Sequence, residues 1–539
     1  MKILKDEELK TYLRNEKQYK PRELFAHLDR YLSSEHTNKV CCLYGLRRTG
    51  KTTMMKQAMR ENDVERCAYL FCTDGDDIST LSRAIDSCKD KDFIFIDEAT
   101  RLENFIFAGS VLSDIHMNDT PDRKIVLTGT DSLGFLAARG DELYDRMEMI
   151  HTTYIPYREF HNLLGKTIED YIQYGGTLTP ESTNYNLDDP KSYVNSAIIE
   201  NLLHTIEKLD ERRKFTPLTE HYYNHDLHSY VGRVLEMHNR QFLASIVNRA
   251  FKSHDLGSVR DFIEKQHKGI DTAPFKDKKL LQDIMTALNI KDHSGNPVTK
   301  EEMEELKKYL KHLDVLIDAP GGEVIFTQPG MRYGQVTDLI ELVRNHEAMS
   351  GYTPAEKNFI TSKLIQDVEG QLLEDIVYTD LIIRTKGNKQ VDVFKVQDEL
   401  LGKEVDVAVW DKNNHQIWLF EVKRTNTQDE EQSKHLRDKD FLAEISDNYG
   451  AEIVAKTVLY QGPDAQQDFG RDQISYRNVS AFLAKTDISQ MLAHNEQNRD
   501  AEGRVTDIQA EIEQARRMVQ GTKKAPSGNP DDVGNHDKR

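Results

Sequence analysis

Gly45-Leu46-Arg47-Arg48-Thr49-Gly50-Lys51-Thr52 decides how this chain is read. It satisfies G-x-x-x-x-G-K-[ST] at every position, and its flanks suit the motif: the β-like run Val40–Tyr44 precedes it and Thr53–Met59 continues as a helix. The chemistry demands these residue types. Gly45 and Gly50 let the main chain curl so that successive N–H groups face an anion, and the N-terminus of the following helix adds partial positive charge. The triphosphate-contacting set is therefore Gly45, Arg48, Thr49, Gly50, Lys51, Thr52 and Thr53. Lys51 places a point charge on the β- and γ-phosphates, and the Thr52 hydroxyl is a ligand for Mg²⁺.

Working outward, Phe93-Ile94-Phe95-Ile96-Asp97-Glu98 supplies a second half, the Walker-B pattern of an apolar strand ending in two carboxylates. Alone, such a run reads equally well as a buried strand with two solvated acids. Beside a complete phosphate loop, Asp97 is expected in the Mg²⁺ shell and Glu98 as the group that polarises attacking water, the mark of an ATP hydrolase. A third run, Ile125–Leu127, ends in the polar residue Thr128, which by resemblance to AAA-type ATPases is the candidate sensor of a γ-phosphate. Downstream, Arg139 and Arg146 are candidate γ-phosphate arginines, with a plain surface position the alternative for each.

The surrounding composition limits the class. The 539 residues include 72 Lys+Arg against 91 Asp+Glu, a formal net charge of −19, and 38% hydrophobic residues. That is enough apolar material for packed cores, and the length suggests about three or four domains. Apolar runs such as Phe93–Ile96 fall far short of the ~18–20 residues of a membrane span. No apolar leader follows Met1. The odd set Cys41, Cys42, Cys67, Cys72 and Cys88 lacks disulfide or zinc spacing, so a cytoplasmic protein without a membrane partner is expected. The acidic balance excludes a bulk nucleic-acid coater but leaves room for a local basic groove.

The predicted fold is α/β, in five parts. Residues 1–37 read as a helical lead-in and 38–160 as a P-loop ATPase with a mainly parallel sheet, since strand-like runs alternate there with helical stretches. Residues 161–345 read as helical and winged-helix-like: Thr299 and Glu302 form a capping-box pattern, Met303, Leu306, Leu310 and Leu313 recur at helical spacing, and Val324–Thr327 is strand-like. The mixed charge of Lys300, Glu301, Glu302, Glu304, Glu305, Lys307, Lys308 and Lys311 suits a structural role better than a major-groove reader. Residues 353–486 form a second α/β block, and 498–539 a helix followed by a polar, disordered tail.

In the second block, Lys403–Trp410 and Gln416–Arg424 read as a hairpin around a turn at Asp411–His415. Residues two apart on a strand share a face, so Glu404 projects with Asp406, and Glu421 with Lys423. Asp406 and Glu421 offer hard oxygens for Mg²⁺, Lys423 would orient water or neutralise phosphate, and Glu374, on a preceding helix, would add an outer metal contact. Gln432, Lys434, His435 and Arg437 are expected on a helix facing a nucleic-acid backbone. Ordinary alternation on a two-stranded edge gives the same Glu-Val-Lys, so an inactive scaffold is the competing reading.

Two resemblances follow from these residues. Gly45–Thr52, Ile96-Asp97-Glu98, Leu127-Thr128-Gly129-Thr130, His151–Phe160 and Tyr171–Gly176 resemble a prokaryotic group of AAA-type ATP-binding proteins related to archaeal, STAND-like ATPases. Asp406, Glu421 and Lys423 after a helix resemble the PD-(D/E)xK restriction-endonuclease-like fold, although Val405 stands where that pattern has proline. The resemblances imply an ATPase core, a winged-helix-like middle and a nuclease-like C-terminal domain; ATP and Mg²⁺ are the expected cofactors, and DNA and a second copy of the chain are candidate partners. An ATP-gated nuclease and a regulatory ATPase with an inactive interaction module both remain open at this point.

Overall fold

Six runs build the first sheet: Lys2–Lys5 (β1), Val40–Tyr44 (β2), Cys67–Phe71 (β3), Phe93–Asp97 (β4), Lys124–Gly129 (β5) and Met147–His151 (β6), in the order β1-β3-β4-β5-β2-β6. The structure is a computed structural model that describes residues 1–15, 18–35, 39–103, 105, 123–130, 147–178, 198–209, 216–252, 278–288, 299–318, 324–398, 402–469 and 472–486. Arg139, Arg146 and the expected tail at 498–539 lie outside the described residues. Strands β2 to β6 pair in parallel, and β1 joins antiparallel to β3. Helices cover both faces, which is why the strands read as continuous apolar runs. On one face Ile94, Ile96, Ile125 and Leu127 pack with Leu81 and Ile85 of helix Ile78–Asp86. On the other, Phe95, Val126, Cys41 and Leu43 meet Met54 and Met55 of helix Lys51–Glu61 and Leu9 and Leu28 of the N-terminal helices. Burying each of the larger of these side chains stabilises by about 1.5–3 kcal/mol.

The lead-in is not wholly helical. Lys2–Lys5 is an edge strand, pairing Ile3 with Leu70 and Leu4 with Tyr69, before the helices Asp6–Arg14 and Phe25–Ser33. Four residues between Met1 and the acidic helix start show too little periodicity to reveal a strand; the open edge of β3 recruits them.

The helical middle contains Glu200–Leu209, Thr216–Tyr223, Leu227–Lys252, Lys278–Leu288 and Lys300–His312, then a ribbon of Leu316–Asp318 (β7) and Val324–Phe326 (β8), then Pro329–Asn345. Thr299 and Glu302 close a reciprocal capping box. Leu202, Tyr230, Val234, Leu306, Tyr309, Leu310, Leu316 and Phe326 form its core, and Leu46 of the phosphate loop is buried in that same core.

Thr353 caps the 32-residue helix Pro354–Thr385, which leads into the second sheet. Its strands are Val391–Asp398 (β9), Lys403–Asp411 (β10), Gln416–Val422 (β11), Glu452–Tyr460 (β12), Ala465–Phe469 (β13) and Asp472–Asn478 (β14), ordered β13-β14-β12-β11-β10-β9. The hairpin β10–β11 is therefore interior to the sheet, which removes the reading of a charged two-stranded edge. The helix expected across Gln432–Arg437 is absent. Two short 3₁₀ turns, Glu430–Ser433 and His435–Arg437, stand there, because Asp429 caps the first turn at Glu431 N and Asp438 starts a separate helix, Lys439–Tyr449. No helix among the described residues is long and apolar enough to cross a membrane.

Candidate functional site

The phosphate loop is curled by left-handed backbone at Gly45 (φ +137°), Arg48 (φ +63°) and Gly50 (φ +89°). A Cβ on Gly45 would lie 2.7 Å from Thr153 Oγ1 and 2.8 Å from Thr152 Oγ1, so only glycine fits. Helix Lys51–Glu61 starts directly at Gly50, pointing its free N–H groups at the loop mouth. Lys51 Nζ donates to Gly45 O (2.8 Å) and Leu46 O (2.7 Å). Burial lowers its ammonium to about 8, against the opposing pull of Glu98 and Asp97. Thr49 is turned inward: its hydroxyl donates to Leu46 O and pairs with Thr152 Oγ1 at 2.7 Å. Its side chain thus shapes the loop, leaving its main chain for an anion.

Asp97, Glu98, Thr52 and Thr128 come together at the end of the sheet. Strand β5 lies between β2 and β4, so Thr128 stands beside both halves of the motif. The Asp97 Oδ1 atom accepts the Thr128 hydroxyl, the Thr52 hydroxyl (3.3 Å) and the Glu98 N–H (3.1 Å). Its Oδ2 accepts the Tyr69 phenol at 2.7 Å. Glu98 is left-handed (φ +56°), a conformation that costs a non-glycine residue about 1–3 kcal/mol and concentrates at functional sites. The Glu98 N–H, shared between Asp97 and Thr128 Oγ1 (3.2 Å), holds it there. The hydroxyl-carboxylate pair of Thr52 and Asp97 is a hard-oxygen donor set that suits Mg²⁺. Thr53 follows on the first turn of the helix, and Arg48 is exposed on the loop.

Sequence reading missed the residue that braces this loop from behind. Arg22 is buried and forms a two-pronged ion pair with Glu159 (3.0 and 2.9 Å). The same guanidinium donates to Thr49 O (2.6 Å), Thr152 O (2.8 Å) and Tyr154 O (3.0 Å). It also missed the route to the middle: Leu46 N donates to Thr153 Oγ1, which bonds His151 Nε2 (2.9 Å), and the other ring nitrogen pairs with Asp314 beside the β7–β8 ribbon.

The C-terminal cluster brings Asp406, Glu421 and Lys423 together. Lys423 Nζ lies 3.1 Å from Asp406 Oδ2 and 2.6 Å from Glu421 Oε2. Strands β10 and β9 slip register between Val405 and Ala408, and this bulge sits at Asp406. Burial pushes the Asp406 carboxyl up, but Lys423 and the Val422 N–H bring it below the usual range. Glu421 is pushed up by burial and by Asp406, and its Oε1 has no hydrogen-bond partner. Glu374 is raised by burial and by Asp406 too. Among the described residues no three acidic, histidine or cysteine side chains stand as a metal-binding group. Lys423 fills the space between the two strand carboxylates. Glu421 Oε1 lies 3.7 Å from His435 Nδ1, and with Asp406 it would suit one hard cation. A cavity of about 620 Å³ is lined by Asp406 and Glu374 and, from the helical middle, by Arg249 and Lys307. The next residue, Arg424, bonds Glu169 (2.8 Å) on helix Ile168–Tyr174 and Glu369 (2.9 Å) on the long helix.

Comparison with known families matches residues 37–161 to an AAA domain and residues 369–479 to a domain of unknown function (DUF4143). No curated protein matches. Among solved structures, the Aeropyrum pernix ORC2 protein overlaps at 12% identity and TM-score 0.27, over 62% of this chain and 93% of that one. The Walker-type ATPase PABY2304 of Pyrococcus abyssi overlaps at 13% identity and TM-score 0.28, over 59% and 96%. The N-terminal sheet domain is an ATP-binding domain of the AAA type.

Proposed function

We propose that the chain hydrolyses ATP with Mg²⁺ and uses its nucleotide state to govern the C-terminal sheet. One observation carries the hydrolytic reading: Thr52, Asp97, Glu98 and Thr128 meet around one carboxylate at the mouth of a curled, lysine-bearing loop. Thr52 and Asp97 would hold Mg²⁺, which supplies charge neutralisation between the β- and γ-phosphates. Lys51 binds the phosphates, Glu98 takes a proton from water, and Thr128 reports the γ-phosphate. Glu98→Gln should keep nucleotide affinity while turnover falls at least about 100-fold, the lower end for removing a positioned proton acceptor. Fluorescent-nucleotide binding beside phosphate release checks this; unchanged turnover would remove Glu98 from that role.

The loop reaches the middle through Leu46 and the Thr153–His151–Asp314 chain, and Arg424, just past β11, ties the C-terminal sheet to helix Ile168–Tyr174 and to the long helix. These contacts support a two-state element that nucleotide biases. The middle, with its helix-turn-helix-ribbon order, would act as a winged-helix-like relay. The Asp406–Glu421–Lys423 cluster supports a nuclease-like domain that acts on or contacts nucleic acid, with a divalent cation supplying water activation. Lys423, seated between Asp406 and Glu421, supports a second reading, an interaction module without cutting activity. Plasmid and RNA cleavage in Mg²⁺ or Mn²⁺ separates the two. The nuclease reading expects cutting by the wild type and none by Lys423→Ala; no cutting by either leaves the interaction module.

A further inference from the structure

Strand β3 is the neighbour of β4, and its register sets Tyr69 against Phe95 and Phe71 against Asp97. Tyr69 therefore stands two residues short of the Asp97 level, and its long side chain spans that distance. Its body is held on both sides of the strand's environment: the residue is 3% exposed, and its ring stacks on Tyr12 at 5.5 Å and 24°. Lys56, from the helix that follows the phosphate loop, lies 4.8 Å from the Tyr12 ring centroid. The Tyr69 hydroxyl donates to Asp97 Oδ2 at 2.7 Å, and the Tyr12 phenol lies beside it.

Asp97 is 2% exposed, and its two oxygens have separate duties. Oδ1 faces Thr52 and Thr128, on the loop side. Oδ2 faces Tyr69, away from them. A carboxylate on a single rotatable stem can turn both ways, and a fixed donor on one oxygen sets the plane of the other. Mg²⁺ demands near-ideal octahedral geometry, and outer hydrogen bonds that orient a ligand carry about 10–100-fold in metal affinity.

We infer that Tyr69 is a positioning residue for the Mg²⁺-binding carboxylate, fixing Asp97 so that Oδ1 meets the cation beside Thr52. This rests on the ATP-site reading above. Tyr69 is buried and its hydroxyl is on Asp97 Oδ2, so its effect is expected on the cation and not on metal-free binding.

The test uses the full chain and fluorescent ATP. Nucleotide affinity is measured in EDTA, and the Mg²⁺ concentration giving half-maximal thermal stabilisation is measured at saturating nucleotide. Tyr69→Phe should match wild type in EDTA and need about 10-fold more Mg²⁺. In an Asp97→Asn background the Tyr69 change should add nothing, because the partner it orients has gone. An additive effect there, or a Tyr69→Phe midpoint equal to wild type, overturns the assignment while leaving the ATP site intact. A wild type indifferent to nucleotide with and without Mg²⁺ overturns the ATP site itself and this inference with it.

Discussion

Lys51→Ala should leave the folded chain with no measurable heat of ATP binding, an affinity loss of roughly 100-fold or more. Hydrogen bonds to charged groups contribute about 1.5–3 kcal/mol, and each ~1.4 kcal/mol is tenfold in affinity. The fold should survive, because the lysine serves only two loop carbonyls, Gly45 O and Leu46 O, and its removal ends the burial of a charge. Arginine is no substitute, since a planar fork cannot occupy the space of a compact ammonium. The lowered lysine gives a second, sharper readout. In the free protein its ammonium titrates near 8 because burial disfavours the charged form. A bound polyphosphate favours that form and raises the value. Binding above pH 8 must therefore take up a proton, so affinity should be flat below about pH 7.5 and fall above 8, by up to about tenfold per pH unit. Calorimetry in two buffers of different ionisation heat measures the uptake directly. Equal heats at pH 8.5, or wild-type binding by Lys51→Ala, would remove Lys51 from the phosphate site.

What the sequence made legible were the features set by local chemistry. Two glycines, a lysine and a threonine at fixed spacing define a loop whose conformation is imposed by φ values that few other residues adopt. Buried parallel strands announce themselves as Val40–Tyr44 and Phe93–Ile96 because both faces are covered. The hairpin at Lys403–Val422 was legible from alternation, yet its interior position was not, since partner strands β9 and β12 come from either side of it in the chain. Features made by distant segments were hidden. Lys2–Lys5 becomes a strand only because β3 has an open edge. Asp406 sits in a bulge of β10 against β9, and a one-residue slip leaves no compositional trace. Gln432–Arg437 has helix-like composition, but Asp429 caps a short 3₁₀ turn and Asp438 starts a separate α-helix within ten residues of it.

Arg22 is the clearest case, and it carries the last prediction: Glu159→Gln should destabilise the ATPase domain by about 3–5 kcal/mol, the range for stranding one partner of a buried ion pair. Both side chains are 3% exposed, so water cannot replace the lost charge. The pair joins residues 137 apart in sequence, which is why Pro21-Arg22-Glu23 and Tyr157–Phe160 gave no hint of each other. Chemical denaturation of the variant measures the loss, and a midpoint equal to wild type would show that the pair bears no structural weight. A second variant separates stability from the loop. Arg22→Met with Glu159→Leu removes both charges and should regain much of the stability, as apolar replacement of buried pairs often does. It cannot restore the donors to Thr49 O, Thr152 O and Tyr154 O. The double variant should therefore fold and still bind ATP poorly. If it binds as wild type does, Arg22 is a packing device alone, and the shape of the phosphate loop is set by Gly45, Thr49 and Thr152 without it.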